Sequence, residues 1–385
     1  MIQREYKLEH QNYKKYIYKK YLEKLMNKGS SVKRILFMPT NGAGLGHLTR
    51  TLAIARRLKR MYPYVEIIFF TTSFALNLIV EEGFLAYYFP SMDLNHVNID
   101  QDEVNNAIED QLLSIIKRHN IDTLVFDGVY PYGCLMNAIE KSNVNAIWIQ
   151  RGMHKGGKSE VVREREKYFN FIMIPGEASL KNSIENSKKI KFCPPIVYAD
   201  REELLPRETI LKMWNLDADK KTVYISLGEG LYEDINSQIF KVIEILKRNK
   251  NLQIVLGESV IDHKRYNIDP DIFILRNYPN SFYFNVFDFA IINGSYNIFH
   301  ETIYFGVPTI LLPTRVTGTD DHIARAKMAE RLGTGFMFPD FDEEGIHRAI
   351  AKLMDSDINH RMRENTRNIF ENGAALAAKY IIESI

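Results

Sequence analysis

The sequence predicts an α/β protein with two doubly wound parallel-sheet domains that face a central cleft. Short apolar, β-branched or aromatic runs alternate with helical stretches from residue 34 onward, which is typical of βαβ units in a parallel sheet. The alternation stops at Pro194 and Pro195 and restarts at residue 223, and a proline pair suits a linker. Each half also contains a strand, a Gly-containing turn and a helix, at residues 41–50 and 293–301. Such turns let a backbone approach a phosphate or a sugar closely.

The predicted elements divide the chain into four parts. In the first half, strands are expected at residues 34–38, 65–71, 85–89, 123–126, 146–149, 171–174 and 190–192. In the second half, they are expected at residues 223–227, 252–256, 272–275, 289–292 and 309–312. Helices are expected at residues 48–58, 74–82, 104–117, 235–248, 322–331, 343–354 and 374–385. The four parts are a basic N-terminal helical extension at 1–32, a first domain at 33–200, a second domain at 201–372, and a C-terminal helix at 373–385 that can cross back to the first domain.

The composition suits a globular protein and excludes several other classes. A chain of 385 residues is long for one domain and suits two, and a hydrophobic content of 45% is ordinary. Cys134 and Cys193 form no CxxC pair, so neither a disulfide scaffold nor a cysteine zinc site is expected. No apolar run reaches the roughly 20 residues that span a bilayer, and the charged N-terminus does not resemble a secretory signal. We therefore expect a cytoplasmic protein.

The net charge of +2 is unevenly distributed. Residues 1–34 hold ten Lys and Arg against three Glu, so the rest of the chain is acidic. A nucleic-acid partner is not expected, because it would require a basic stripe on the folded body. The extension also carries Tyr and Leu at helical spacing. It is either a solvated helix or frayed terminus, or a peripheral contact with the anionic inner face of a membrane.

The first glycine loop does not fit a dinucleotide-binding pattern. Gly42, Gly44 and Gly46 alternate, but the third glycine of G-x-G-x-x-G would fall at His47, and the second strand ends without the acid that holds a ribose. His47 stands where the loop turns into a helix, and a helix N-terminus disfavours a protonated imidazole. A neutral imidazole there can act as a general base on a hydroxyl or a water. A helix-start histidine without a chemical role is the alternative.

Asp127 is the expected companion of His47. It follows the strand at residues 123–126, and the carboxyl end of a parallel strand faces the ligand crevice. Its carboxylate can hold the imidazole in one tautomer, as in other pairs of a base and an orienting group. A turn or N-cap aspartate remains the alternative.

Two glycine turns in the second half predict an anion site. Gly228 and Gly230 follow the strand at residues 223–227 and precede a helix. Gly294 and Ser295 form the second turn, ahead of another helix. Backbone N–H groups at a helix N-terminus bind phosphate groups.

The helix after the second turn carries two further candidates, and the next one begins with two acids. Asn297 lies in the first helical turn, and Glu301 lies one turn along the same face, where a carboxylate can accept both hydroxyls of a ribose. Asp320 and Asp321 start the later helix and are placed for sugar hydroxyls. An N-cap role for Asp320 is the alternative.

In combination, these motifs resemble those of the nucleotide-sugar glycosyltransferases of the GT-B fold, in the MurG-like and UDP-glycosyltransferase branches. The resemblance covers most of residues 33–385. The first loop is similar to the Gly-Gly/Gln-Gly-His turn of that family, which implies an acceptor-side histidine at His47 and its aspartate at Asp127. It further implies two Rossmann-like domains, with the acceptor bound at residues 33–200 and the nucleotide-sugar donor at residues 201–372.

The donor motif of the family is His-Cys-Gly-Trp-Asn-Ser-x-x-Glu, followed by Gly-Val-Pro and Asp-Gln. Residues 293–301, 306–308 and 320–321 resemble it. Asn293 and Ile298 depart from the His and Ser of the motif, so the phosphate contacts are expected to be either reduced or redistributed onto the backbone and Ser295. The donor-binding residues that the resemblance implies are Gly228, Gly230, Tyr278, Gly294, Ser295, Tyr296, Asn297, Glu301, Asp320 and Asp321.

The resemblance implies an inverting, metal-independent transfer from a nucleotide-sugar, UDP-linked in most of the family, to a hydroxyl of a glycan, a lipid-linked or a small-molecule acceptor. The nucleotide-sugar is a co-substrate, and no cofactor is expected. Four Asp-x-Asp pairs fall in polar turns and are not assigned to a metal. They are Asp100/Asp102, Asp217/Asp219, Asp269/Asp271 and Asp355/Asp357.

Three alternatives remain at this stage. The loop residues Gly44, Gly46 and Arg50 give a Gly-His-x-x-Arg form that also resembles the UDP-sugar hydrolase of pseudaminic acid synthesis, in which His47 would activate water. A nucleotide-sugar 2-epimerase has the same fold. A non-catalytic module that binds a nucleotide-sugar belongs to a different class, and the presence of both His47 and Glu301 argues against it.

Overall fold

The computed structural model of the chain contains two parallel β-sheets. Each sheet has a hydrophobic core on both of its faces. The structure describes residues 32–40, 44–91, 100–153, 155, 159–178, 187–228, 235–258, 269–315 and 320–385. The extension up to residue 31, together with Gly42 and Gly230, lies outside the described residues.

The first sheet has seven strands. They are β1 (Arg34–Pro39), β2 (Glu66–Thr71), β3 (Leu85–Tyr88), β4 (Thr123–Asp127), β5 (Asn145–Ile149), β6 (Phe171–Pro175) and β7 (Ile190–Cys193). Their order is β3-β2-β1-β4-β5-β6-β7, so the direction of winding reverses between β1 and β4. In that register Pro39 lies opposite Asp127, which brings the segment after β1 next to the end of β4. Ligands bind at such switch points in open α/β sheets.

The helices of the first domain cover the two faces of this sheet. They are α1 (Gly46–Met61), α2 (Leu76–Glu81), α3 (Gln101–His119), α4 (Gly133–Ser142) and α5 (Glu160–Arg165). Successive residues of β1 point to opposite faces, so that Phe37 packs with Leu52 of α1, whereas Met38 packs with Leu112 of α3. Burial on both faces explains why these strands are continuous apolar runs.

The second sheet has six strands. They are β8 (Lys221–Ser226), β9 (Leu252–Gly257), β10 (Phe273–Leu275), β11 (Phe289–Ile292), β12 (Thr309–Leu311) and β13 (Gly335–Met337). Their order is β10-β9-β8-β11-β12-β13, which again places a switch point next to the first strand of the domain. The helices are α6 (Arg207–Trp214), α7 (Ile235–Lys247), α8 (Tyr296–Tyr304), α9 (His322–Leu332), α10 (Glu343–Met354), α11 (Ser356–Thr366) and α12 (Ala374–Ile382).

The last helix packs against the first domain. Ala377 and Ile381 of α12 belong to the same hydrophobic core as Leu52 of α1. The backbone N–H of Gly373 donates to the carbonyl of Pro195 at 2.8 Å, and a Cβ at residue 373 would lie 2.0 Å from the Pro194 oxygen. Glycine is therefore required where the chain returns past the linker.

The predicted fold class is confirmed, and two of the elements that were missed, β13 and α11, share a physical cause. Strand β13 has only three residues and begins with a glycine. Helix α11 is strongly polar, and it begins where the Asp355 carboxylate accepts from the N–H groups of Asp357 and Ile358. Neither segment carries the apolar periodicity from which the other elements were predicted.

Candidate active site

The structure brings His47 and Asp127 together, as the sequence predicts. His47 is the second residue of α1, and Asp127 ends β4. Nδ1 of His47 lies 2.6 Å from Oδ1 of Asp127, with the His47 side chain 18% exposed and the Asp127 side chain 0% exposed. A carboxylate can only accept, so Nδ1 carries the proton in this contact. The Nε2 lone pair is then the group that can take a proton from a substrate.

Arg50 completes this cluster one turn along α1. Its Nε donates to Oδ2 of Asp127 at 2.8 Å, and its Nη2 donates to Oδ1 at 2.5 Å. Burial alone would raise the pKa of the Asp127 carboxyl, but Arg50 and His47 outweigh burial and lower it. Asp127 is therefore a fully buried carboxylate that stays ionised.

In the second domain, two glycine turns are joined by Asn293. Its Nδ2 donates to the Leu227 carbonyl at 2.9 Å, and its Oδ1 accepts from the Ser295 N–H at 3.0 Å. Gly228 and Gly294 have φ of +96° and +80°, a region that residues with a Cβ rarely adopt. Asn293, which departs from the family motif, thus fixes the shape of the donor turn (residues 293–297).

The donor turn faces the start of α1 across the cleft. Ser295 is the N-cap of α8 and makes no side-chain capping bond, which leaves the first N–H groups of the helix to a ligand or to water. The Asn297 amide donates to the Gly46 carbonyl at 3.3 Å. The two predicted Gly loops therefore approach each other, as a shared cleft requires.

Tyr278 also bridges the two domains. Its hydroxyl lies 2.5 Å from Oγ1 of Thr49, one turn into α1. Tyr278 thus lies beside the helix that carries His47 and Arg50.

Glu301 lies on α8, one turn beyond Asn297. The hydroxyl of Ser281 donates to its carboxyl. Burial raises the pKa of Glu301 to about 7, although the Ser281 hydroxyl opposes this shift. The sequence does not predict Ser281 as a site residue. It lies in a 3₁₀ segment, Asn280–Val286, that carries no motif and comes next to Glu301 only in the folded chain.

The two acids before α9 have different partners. Asp321 is the N-cap and accepts from the Ala324 N–H at 2.9 Å. Asp320 instead contacts Nη1 of Arg325 at 2.8 Å and Nε2 of His322 at 3.3 Å. The alternative N-cap assignment of Asp320 is therefore wrong by one residue, because the helix begins at His322. Burial would raise the pKa of Asp320, but His322 and the nearby arginines hold it well below its usual range.

Tyr296 turns its hydroxyl toward the first domain. The hydroxyl donates to the Gly176 carbonyl at 3.1 Å, and the ring is 8% exposed. The guanidinium carbons of Arg50 and Arg325 lie 5.4 and 5.3 Å from the ring centroid, within cation–π range. Tyr296 therefore joins α8 to the cluster of His47, Arg50 and Asp127 through packing.

The Asp-x-Asp pairs have a local explanation. In each pair the first aspartate accepts from the backbone N–H two residues later, at 2.9, 2.9, 3.1 and 3.0 Å, which is an Asx turn. Among the residues that the structure describes, no group of three or more His, Cys, Asp or Glu side chains is arranged to hold a metal ion.

Within the same described ranges, no helix is both long and apolar enough to cross a membrane.

Two parallel-sheet domains that meet where Asn297 contacts Gly46, with a buried His–Asp pair on one side, have the architecture of the GT-B glycosyltransferases. No family model matches the chain. The UDP-N-acetylglucosamine--N-acetylmuramyl-(pentapeptide) pyrophosphoryl-undecaprenol N-acetylglucosamine transferase of Thermosipho africanus is 24% identical to it over 344 residues, which are 87% of this chain and 95% of the relative.

Solved structures agree in fold. MurG of Acinetobacter baumannii superposes with a TM-score of 0.60 at 14% identity, over 91% of this chain and 99% of that chain. The glycosyltransferase of kitacinnamycin gives 0.64 at 16% identity, over 92% and 100%. The expected GT-B fold and the resemblance to MurG-like transferases are confirmed, and so is the enzyme class, glycosyltransferase.

Proposed function

We propose that the protein is an inverting, metal-independent glycosyltransferase that moves a sugar from a UDP-sugar to an acceptor hydroxyl. The observation that carries this proposal is the His47–Asp127 pair, which lies on the first domain and faces the donor turn across the Asn297–Gly46 contact. A general base and a diphosphate-binding helix terminus on opposite sides of one cleft are what such a transfer requires.

In the proposed reaction, Nε2 of His47 removes the proton of the acceptor hydroxyl as its oxygen attacks the anomeric carbon. Asp127 keeps Nδ1 protonated and stabilises the imidazolium that forms, and Arg50 keeps Asp127 ionised and oriented. The attack comes from the face opposite the nucleotide, so the anomeric configuration inverts. The proton leaves later to solvent from the imidazolium.

The donor side stabilises the leaving group. Negative charge develops on the diphosphate as the glycosidic bond breaks, and the N-terminal N–H groups of α8, beginning at Ser295, together with the turn at Gly228, can meet it. Glu301, one turn further along α8, accepts the ribose hydroxyls. Asp320 and Asp321 are proposed to contact the sugar from their positions at the start of α9.

The relatives support the nucleotide and the acceptor class that we propose. The Thermosipho africanus relative is named for UDP-N-acetylglucosamine and a pyrophosphoryl-undecaprenol acceptor, which supports a UDP-sugar donor here. For this chain we propose a glycan, a lipid-linked or a small-molecule hydroxyl as the acceptor. We also propose a cytoplasmic location, with peripheral contact at the inner face of the membrane through the basic extension.

Nucleotide binding and turnover test this proposal. Isothermal titration with UDP, dTDP, GDP and NAD, each with and without chelator, should give one strong ligand, UDP, whose affinity the chelator does not change. The variant His47→Ala should bind UDP as the wild type does and lose turnover by about 10²–10⁴-fold. His360→Ala is the matched control, because His360 is exposed on α11.

The products distinguish the alternatives. UDP released with the sugar attached to an acceptor supports transfer, whereas free sugar formed at the same rate without any acceptor indicates the hydrolase. Interconversion of sugar epimers indicates the 2-epimerase. Full turnover by His47→Ala would disprove the proposed mechanism.

A further inference from the structure

A three-residue segment of the first domain, residues 176–178, reaches into the second domain directly after β6. The Gly176 carbonyl accepts from the Tyr296 hydroxyl at 3.1 Å. Ala178 is buried in the hydrophobic core that contains Phe299 of α8. Between them, the Glu177 side chain is buried among charged groups of α8 and α9. Each of the three residues therefore contacts the domain that carries the donor turn.

Glu177 makes a fully buried ion pair with Arg325 and also contacts His300. Its two oxygens accept from Nε and Nη2 of Arg325, both at 2.9 Å, and Oε2 lies 3.1 Å from Nε2 of His300. Glu177 is 3% exposed, and Arg325 and His300 are 0% exposed. The paired arginine bonds fix both the distance and the plane of the carboxylate.

The two partners of Glu177 hold the backbone of the donor turn. Nη1 of Arg325 donates to the Gly294 carbonyl at 3.3 Å. Nδ1 of His300 donates to the Tyr296 carbonyl at 2.7 Å. A carboxylate of the first domain is thus connected to both neighbours of the N-cap of α8. Arg325 links it to Gly294, before the N-cap, and His300 links it to Tyr296, after the N-cap.

We propose that Glu177 is a positioning residue through which the first domain sets the geometry of the donor turn. The inference rests on the proposed function, since it takes the turn at Gly294–Tyr296 as the diphosphate site. Glu177 does not touch the ligand itself and acts through Arg325 and His300. Donor affinity in the second domain then depends on a charge supplied by the first domain, which couples the two binding sites.

A neutral amide cannot replace this carboxylate. In Glu177→Gln, the amide oxygen can accept one bond, but its NH₂ group faces a donor of Arg325, and Asp320 remains the carboxylate partner of Arg325. Loss of one member of a buried ion pair is strongly destabilising, so Arg325 should shift towards Asp320, His300 should lose its Glu177 contact, and the two carbonyls should be released. We expect the Kd for UDP to rise about tenfold, within the usual range of coupling between sites.

The matched control is Glu109→Gln. Glu109 is 6% exposed and pairs with Lys141 and Asn137 in the first domain, away from the donor turn. It should show a loss of melting temperature with an unchanged Kd for UDP.

A double variant separates positioning from stability. Glu177→Gln with Arg325→Met removes both charges of the main pair, and neutral replacement of a buried pair commonly restores stability. Asp320 loses its contact with Arg325 in this variant and keeps the one with His322, so the recovery is partial. We expect a melting temperature between those of Glu177→Gln and the wild type, while the Kd for UDP stays about tenfold raised, because the Gly294 carbonyl has lost its donor.

The outcomes are distinguishable. A double variant that regains both melting temperature and UDP affinity overturns the inference, as does a control variant that weakens UDP binding equally. If the wild type binds no UDP by calorimetry, the proposed function fails and the inference fails with it. Wild-type binding with an unchanged Kd in Glu177→Gln overturns the inference alone.

Discussion

At the scale of single residues, the proposed chemistry depends on the buried ion pair between Arg50 and Asp127. Asp127 is fully buried, and its pKa is low only because Arg50 and His47 outweigh the burial. A carboxyl whose folded pKa is depressed contributes stability above its unfolded pKa, and that contribution is lost as the pH falls through the folded pKa. Arg50 therefore extends the acid range over which Asp127 can hold Nδ1–H of His47.

Replacement of Arg50 by methionine tests this role. With the cation gone, burial raises the pKa of Asp127, so the acid loss of stability that Asp127 causes should begin at a higher pH in Arg50→Met than in the wild type. Melting temperatures measured between about pH 7 and pH 4 give the comparison. Arg348→Met, on the exposed face of α10, serves as the control, and an acid profile of Arg50→Met that parallels the wild type would contradict this account.

The raised pKa of Glu301 predicts that nucleotide binding depends on pH. Its cause is burial, whereas the pKa of Asp127 is lowered by charged neighbours. Burial raises the pKa of Glu301 to about 7, so its stability contribution is lost as the pH rises through about 7. Ribose hydroxyls donate best to the ionised form. We expect UDP affinity to fall by up to about tenfold per pH unit below about 7.

Calorimetric titrations of UDP between about pH 6 and pH 8 measure this dependence. The variant Glu301→Gln has no carboxyl to titrate at residue 301, so its pH profile reports the ionisation of UDP itself. The difference between the wild-type profile and the variant profile is then the contribution of Glu301. Identical pH profiles for the wild type and the variant would exclude Glu301 as the ribose acid.

At the scale of elements, the donor turn depends on a backbone conformation that only glycine adopts easily. Gly294 has φ of +80°, and an added Cβ would lie 3.2 Å from the His322 carbonyl oxygen. Gly294→Ala should cost about 1–3 kcal/mol of stability, as left-handed strain does, and should also weaken UDP binding.

Gly133 supplies the matched substitution. It is the first residue of α4, and an added Cβ meets no atom within 4 Å. Gly133→Ala should therefore leave the free energy of unfolding unchanged or raise it slightly. Chemical denaturation of both variants gives the comparison, and equal effects would show that Gly294 is an ordinary turn residue.

The same scale explains what the sequence reveals and what it does not. The strands and helices with apolar periodicity were predictable, and so were His47 and Asp127, because both follow a strand end in the pattern of a parallel sheet. Ser281, Arg325 and Glu177 were not predicted, since no local pattern marks them. The Ser281–Glu301 contact joins residues 20 positions apart within the second domain, and the Glu177–Arg325 contact joins residues 148 positions apart across the two domains. Only the folded chain brings these residues together.

At the scale of the whole molecule, the two domains share buried structure. Tyr278, Phe282 and Phe305 of the second domain pack against the core of the first, and two segments of the backbone cross between the domains as well. Residues 176–178 of the first domain enter the core of the second, and α12, which follows the second domain, packs into the core of the first. Each domain thus completes its core with a segment on the far side of the linker. Cores that are completed in this reciprocal manner should unfold together, although multidomain chains often do not.

The two tryptophans allow this to be tested one domain at a time. Trp148 lies in β5 and Trp214 lies in α6, and the chain has no third. In the single-tryptophan variants Trp214→Phe and Trp148→Phe, fluorescence reports the first and the second domain respectively. Urea unfolding should give one midpoint for both probes, once each is corrected for the effect of its own substitution.

Ile381→Ala then perturbs the reciprocal packing from one side. Ile381 is 0% exposed in the core of the first domain, and truncation of a buried isoleucine costs about 2–5 kcal/mol. If the domains unfold as one unit, both tryptophans should report the same loss, whereas Val80→Ala, at a side chain 61% exposed, should change neither. A loss seen by Trp148 alone would mean that the second domain unfolds independently of the first, and that the reciprocal packing does not couple the two domains.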